Sequence, residues 1–210
     1  MQILIVEHFP VIRAGIRQWL SSEPDLAIVG ETPSAEEGMR LIDALRPDLV
    51  LLDITTPRKN GYEALLAFKE RRQHLPILII NGRPERFYAA QLMNNGADGC
   101  FPAHGSGNEL IRAIRIVGSG RRYLEGETPP LQTEMDGKPR ALHEQLNPRE
   151  YEIFHSICRG ERLTDTADRL SLSLSTVNRY RKQVLEKIGV DDIPGLIRYA
   201  IHQGIDSSQY

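Results

Sequence analysis

"DLVLLDITTPRKNG", residues 48–61, decides the fold. Four apolar residues, Leu49 to Leu52, run straight into the carboxylate of Asp53, and a turn containing Pro57 and Gly61 follows. An apolar run of that length, without polar alternation, reads as a strand buried on both faces. A buried strand that ends on an ionisable side chain has two explanations. Either Asp53 caps the next element, or it stands at the mouth of a site.

The flanking sequence favours the second. Further apolar runs occur at Ile3–Val6, Leu26–Val29, Ile77–Ile80 and, more weakly, Cys100–Phe101. Between them lie segments with helical spacing. Val11, Ile12, Gly15, Ile16, Trp19 and Leu20 form one. "SAEEGMRLIDALRP" opens with a capping box, Ser34 and Glu37, and closes at Pro47. "GYEALLAFKERR", "ERFYAAQLMNNG" and "GNELIRAIRIVGSG" supply three more helices, the last two stopped by glycine. Five βα units in series predict an α/β domain with a five-stranded parallel sheet, helices on both faces, and a ligand site at the carboxyl ends of the strands.

Residues 125–143, "EGETPPLQTEMDGKPRALH", lack periodicity and carry three prolines, so they read as a linker. A different pattern follows. "NPREYEIFHSICRG" has Asn147 as N-cap, Pro148 at the first helical position and Gly160 as stop. "TDTADRL" reads as a short helix, "SLSTVNRYRKQVLEKIG" as a longer one and "DIPGLIRYAIHQG" as a fourth. Four short helices with a tight turn near 170–175 predict an all-α helix-turn-helix domain. The expected organisation is thus a first domain at 1–124, a linker at 125–143 and a helical domain at 144–210.

Composition narrows the function classes. The 210 residues are 40% hydrophobic and 26% charged, ordinary for a globular protein. A net charge of -2 does not announce a nucleic-acid binder, so that function needs a local patch. The two cysteines, Cys100 and Cys158, match no metal or disulfide spacing and predict a reducing, cytoplasmic setting. "MQILIVEHFP" has neither a basic n-region nor a long apolar h-region, and no apolar run is long enough for a membrane span. Neither a signal peptide nor a membrane partner is expected.

Taken together, the chain resembles the LuxR/NarL-type bacterial response regulators, in the subgroup of BvgA, EvgA and GacA. The first half carries the resemblance in "VIRAGIRQWL", "PDLVLLDI…P…NG", "GADG" and "ELIRAIRIVGSGRRYL". The second half carries it in "LNPREYEIF", "STVNRYRKQVLEKIGV" and a Y-A-x-x-x-G ending. The resemblance implies a flavodoxin-like receiver whose third strand ends in a phosphoacceptor, here Asp53, served by a histidine kinase and Mg²⁺. It also implies two acidic metal ligands after the first strand, a Ser or Thr ending the fourth and a Lys after the fifth. Those positions hold Glu7 and His8, then Asn81, then Ala103, with His104 one place on. Imidazole is a poor ligand for a hard cation, and Ala103 cannot neutralise a phosphoryl charge. A degenerate receiver pocket with no metal or cofactor is therefore expected. His8 is open to two readings: a sensor, or a relaxed position pairing with Asp53 or Glu7. An aspartyl-phosphate phosphatase would carry a second Asp two residues on; Thr55 stands there, and no enzyme activity is expected.

In "STVNRYRKQVLEK", Val177, Val184, Leu185 and Ile188 form the core-facing stripe. Asn178, Arg179 and Lys182 share another face, suited to base edges. The resemblance assigns Thr176, Tyr180 and Arg181 to flanking phosphates. From Ser173 to Lys187, Arg179, Arg181, Lys182 and Lys187 against Glu186 give a net of +3, whereas 144–210 holds nine basic and ten acidic residues. Tight binding is therefore expected from a homodimer on two half-sites. Two departures stand out. Thr166 occupies a usual Ile position and threatens a buried hydroxyl, and Thr164 replaces a phosphate-touching Lys. The expected function is a promoter-binding transcription regulator acting without phosphorylation. Two alternatives stay open: a conventional regulator phosphorylated at Asp53, and an interaction module that no longer reads DNA. The histidine kinase, or another regulatory protein, is an open partner.

Overall fold

The computed structural model describes residues 1–54, 61–81, 86–124, 141–170 and 172–205, with backbone alone at 81, 86 and 87. It divides into two compact units, Met1–Pro130 and Leu131–Tyr210. Residues 125–140, most of the expected linker, lie outside the described residues.

The first unit runs β1 Gln2–Val6, α1 Pro10–Leu20, β2 Ala27–Thr32, α2 Ala35–Leu45, β3 Leu49–Asp53, α3 Gly61–Arg71, β4 Ile77–Asn81, α4 Arg86–Asn94, β5 Gly99–Pro102, α5 Gly107–Gly118 and β6 Tyr123–Leu124. Every paired neighbour is parallel, in the order β2-β1-β3-β4-β5-β6. The expectation of five strands is corrected to six. The two residues of β6 are too short to show a pattern of their own, and they are extended because the edge of β5 offers partners, Gly99 to Tyr123 and Cys100 to Leu124. Likewise β2 begins one residue later than its apolar run and continues through Gly30 and Glu31 to Thr32. It is an edge strand, so pairing with β1 sets its length more than burial does.

Alternation along the inner strands divides the core into two layers. Ile3, Ile5, Leu49 and Leu51 join Ile16 and Leu20 of α1 and Leu110, Ile114 and Val117 of α5 in one buried cluster. The opposite face carries Leu4 and Val6, and α2 packs closely there. A Cβ at Gly38 would stand 3.0 Å from Val6 Cγ2 and 3.1 Å from the Phe68 ring. Helix starts are fixed by side chains. Ser34 accepts the Glu37 N–H at 3.4 Å, but the Glu37 carboxylate pairs with Arg40, so the expected box at α2 closes on one side. Complete boxes occur at Ser106 with Glu109 and at Asn147 with Glu150.

The second unit holds a 3₁₀ turn, Leu142–Gln145, then α6 Pro148–Cys158, α7 Leu163–Leu170, α8 Leu174–Ile188 and α9 Ile193–His202. Leu146, Phe154, Ile157, Val177, Val184, Ile188, Leu196 and Ala200 are buried. The 3₁₀ turn takes in the last residues of the expected linker, and His143 donates its backbone N–H to Tyr199 Oη at 3.1 Å. No helix among the described residues is long and apolar enough to cross a membrane.

Candidate functional site

Parallel register builds the first site. Val6 pairs with Leu52, so Glu7 follows β1 beside Asp53 at the end of β3. Asp53 is level with Ile80, and Asn81 is level with Pro102. The chain reverses its strand order here, since β1 lies between β2 and β3; a crevice at the carboxyl ends of strands forms at such a point.

Glu7 and Asp53 are both buried, with 1% and 4% of their surfaces exposed, and their carboxyl groups share a hydrogen bond. Two carboxylates cannot share one without a proton between them. Burial first, then the negative charge of Asp53, push the Glu7 carboxyl up from 4.5 to about 7. The Phe9 N–H, donated to Glu7 Oε1 at 2.8 Å, and the cation of Arg13 pull the other way.

Arg13 was not legible in the sequence as part of this site. Its Nη1 donates to the backbone oxygens of Glu7 at 2.6 Å and His8 at 2.9 Å, and its Nε lies 3.9 Å from Glu31. It reaches them because α1 begins at Pro10 and its first turn folds back over the end of β1. The i+6 spacing carries no recognisable signal. His8 takes neither of the pairings expected for it; its half-buried ring meets Phe9 edge-on, with centroids 5.3 Å apart. Ala103 is exposed just past β5 and brings no charge. Asn81 ends β4, and its side chain lies outside the described residues.

This donor set fits Mg²⁺ poorly. Among the described residues no three His, Cys, Asp or Glu side chains converge as a metal site. The two carboxyl groups that do converge are bonded to each other. A hard cation that seeks six oxygens in octahedral array gets little from an imidazole directed at a phenyl ring.

The second candidate surface lies on α8. Ser173 caps it by accepting the Thr176 N–H at 3.1 Å, and Gly189, at φ 74°, ends it. Val177, Val184 and Ile188 are buried and Leu185 is half-buried, as the periodicity predicts. Arg179 and Lys182 are exposed; Thr176, Asn178, Tyr180 and Arg181 are half-buried. The Arg179 guanidinium lies over the Tyr180 ring, 5.4 Å from its centroid. Asn178 Nδ2 donates to the Leu174 carbonyl at 3.0 Å. Arg181 Nε is buried without a hydrogen-bond partner among the described residues.

Two sequence expectations change here. Lys187 is exposed but its charge is paired: its Nζ sits 2.6 Å from Glu150 Oε2 and ties the last turn of α8 to the first of α6. The Thr166 hydroxyl is buried but not orphaned, since it donates to the Arg162 carbonyl at 3.2 Å, one turn back in its own helix. Thr164 is exposed, its hydroxyl 3.3 Å from Asp165.

Comparison with known proteins places both units. Residues 3–115 match the response regulator receiver domain, and residues 144–200 match the bacterial regulatory proteins of the luxR family. The nitrate/nitrite response regulator NarL of Escherichia coli is 32% identical over 191 residues, covering 89% of this chain and 88% of that protein. The response regulator GacA of Pseudomonas aeruginosa is 26% identical over 208 residues, covering 98% and 97%. Among solved structures, RcsB of Salmonella enterica serovar Typhimurium, bound to promoter rprA with a phosphomimetic, superposes with a TM-score of 0.69. It is 20% identical and the match covers 95% of this chain and 98% of that one, a likeness of fold. With a receiver match over more than half its length and a luxR-family match behind it, the chain belongs to the LuxR-family response regulators, DNA-binding transcription regulators of two-component systems.

Proposed function

We propose that this protein is a sequence-specific transcription regulator that grips promoter DNA through α8 and works without phosphorylation of its receiver. On this reading residues 1–124 are the receiver, 125–143 the linker and 144–210 the DNA-binding domain. Two copies present two α8 helices to two half-sites. Arg179 and Lys182, with Asn178 between them and the helix start, face the base edges, and Thr176, Tyr180 and Arg181 flank them toward phosphates.

The observation that carries the reading is the surroundings of Asp53: His8 packs on Phe9, and Ala103 stands exposed and uncharged just past β5. Phosphoryl transfer depends on positioning and on neutralising charge. Here the acceptor is bonded to a neighbouring carboxyl, His8 packs on Phe9, and Ala103 stands where the family has a cation. Among the described residues the cation beside the pair is Arg13, which is committed to two backbone carbonyls and lies 3.9 Å from Glu31. The luxR-family match over α6 to α9 supports the DNA-binding half.

The test is to incubate the full chain with acetyl phosphate and Mg²⁺, quantify phosphate on Asp53 by mass spectrometry, and measure affinity for promoter fragments enriched from genomic DNA. The expected result is negligible phosphate and unchanged affinity. Stoichiometric phosphorylation with a large gain in affinity would reject the proposal. Arg179→Ala with Lys182→Ala should abolish binding; intact regulation by that variant would mean that the helix does not read DNA.

A further inference from the structure

We propose that Leu174 is a base-reading residue that receives the 5-methyl group of a thymine in the major groove, beside the base pair read by Asn178. This rests on the reading of α8 as the recognition helix and names part of the sequence it selects.

Leu174 is 44% exposed, while Val177, Val184 and Ile188 of the same helix are buried. It therefore contributes little to the core stripe. Nor does it serve the helix start. Ser173 supplies the cap, and its hydroxyl lies 2.8 Å from both the Ser175 and the Thr176 hydroxyls. The polar groups of the first turn thus engage one another and leave the Leu174 side chain as the apolar projection at the amino end of α8.

That end is where a helix docked in the major groove meets base edges. Leu174, Asn178 and Lys182 follow at intervals of four residues, so they form one line along the helix. The Asn178 amide donates to the Leu174 carbonyl, which lays the Asn178 side chain back over the turn that carries Leu174. Among the described residues, one amide hydrogen and the carbonyl oxygen of Asn178 stay available, the pair that adenine N7 and N6 require. The only apolar group that a base pair displays in the major groove is the thymine methyl. The charge at this end suits a nucleic-acid neighbour as well. α8, like α1, α4 and α9, carries no carboxylate in its first turn, so no fixed negative charge opposes phosphates there.

The test uses full-length protein and a duplex enriched from a random-sequence library. Each thymine of that duplex is replaced in turn by uracil, which removes the methyl and keeps the base pair. For the natural chain, one thymine per half-site should weaken binding by about fourfold when demethylated, the effect of losing one buried methyl group. Leu174→Ala should bind the thymine duplex more weakly by at least that factor and no longer distinguish thymine from uracil at that position. Circular dichroism of the variant checks that α8 is retained. If Arg179→Ala abolishes binding while every uracil duplex binds the natural chain as tightly as its parent, DNA reading stands and the role of Leu174 is refuted. If no duplex is enriched, the reading of α8 fails and this inference fails with it.

Discussion

Replacing Glu7 with Gln isolates the proton that the pocket holds. Glutamine keeps the size of the protonated acid. Its amide can donate to Asp53 and its carbonyl can still accept the Phe9 N–H that Glu7 accepts at 2.8 Å. What it cannot do is ionise. In the natural chain the Glu7 carboxyl is pushed from 4.5 to about 7 by burial and by Asp53. Between those values the folded chain keeps a proton that the unfolded chain has released. Stability therefore falls as pH rises through that window, and the loss is complete above it. At about 1.4 kcal/mol per pH unit, the span corresponds to about 3 kcal/mol. Glu7→Gln should match the natural chain near about pH 4.5 and exceed it by about 3 kcal/mol near about pH 8. The chain has one tryptophan, Trp19, on α1 of the first unit, so urea unfolding followed by its fluorescence reports that unit alone. Stability curves that run parallel for the two proteins across the window would refute the shared proton.

Three further outcomes follow from single contacts. Gly61→Ala should destabilise the first unit by about 1–3 kcal/mol, the range for forcing atoms into a filled space. An added Cβ there would meet the Asp53 carbonyl oxygen at 2.6 Å, and Trp19 fluorescence again reads the loss. Glu150→Ala strips Oε2 from both the Asn147 N–H at 2.8 Å and Lys187 at 2.6 Å. A cost of about 2 kcal/mol in thermal unfolding followed at far-ultraviolet wavelengths is expected, with Lys187→Ala costing less because the capping box survives. Thr166→Val should be close to neutral, within about 1 kcal/mol, because among the described residues the hydroxyl bonds to the Arg162 carbonyl of its own helix alone. A large loss would mean that the hydroxyl holds something more.

What the sequence made legible and what it did not divide along a physical line. β3 could be read because burial on both faces leaves an unbroken apolar run, and α6 because Asn147, Pro148 and Glu150 each carry a local backbone requirement. β6 could not, because its two residues are extended through the edge of β5 and not through any pattern of their own. The approach of Glu7 to Asp53 follows from parallel register once β1 and β3 are neighbours. The part played by Arg13 needs the turn between β1 and α1 in three dimensions. Lys187 shows the same limit in reverse. Counted along the chain it enlarges a positive face; in space it is half of an ion pair that secures α8 to α6.

An aspartate at the end of β3 says little by itself about phosphorylation; what counts is the charge around it. While Glu7 holds its proton, Glu7 and Asp53 together carry one negative charge, and Arg13 beside them carries one positive charge. Among the described residues Arg13 is matched by the pair and by Glu31, 3.9 Å away, which leaves no spare positive charge. A phosphoryl group would bring about two more negative charges into a place where both carboxyl groups are buried. Burial raises the cost of any charge left unmatched. Ala103 offers no counter-charge, and the His8 ring is turned against Phe9. Reinstating a single helper would not close that gap, because a metal and the phosphoryl oxygens each need a partner that His8 and Ala103 do not supply. The residues missing from the pocket are thus coupled in their effect. On the reading proposed above, that coupling is why the first unit serves without phosphoryl transfer.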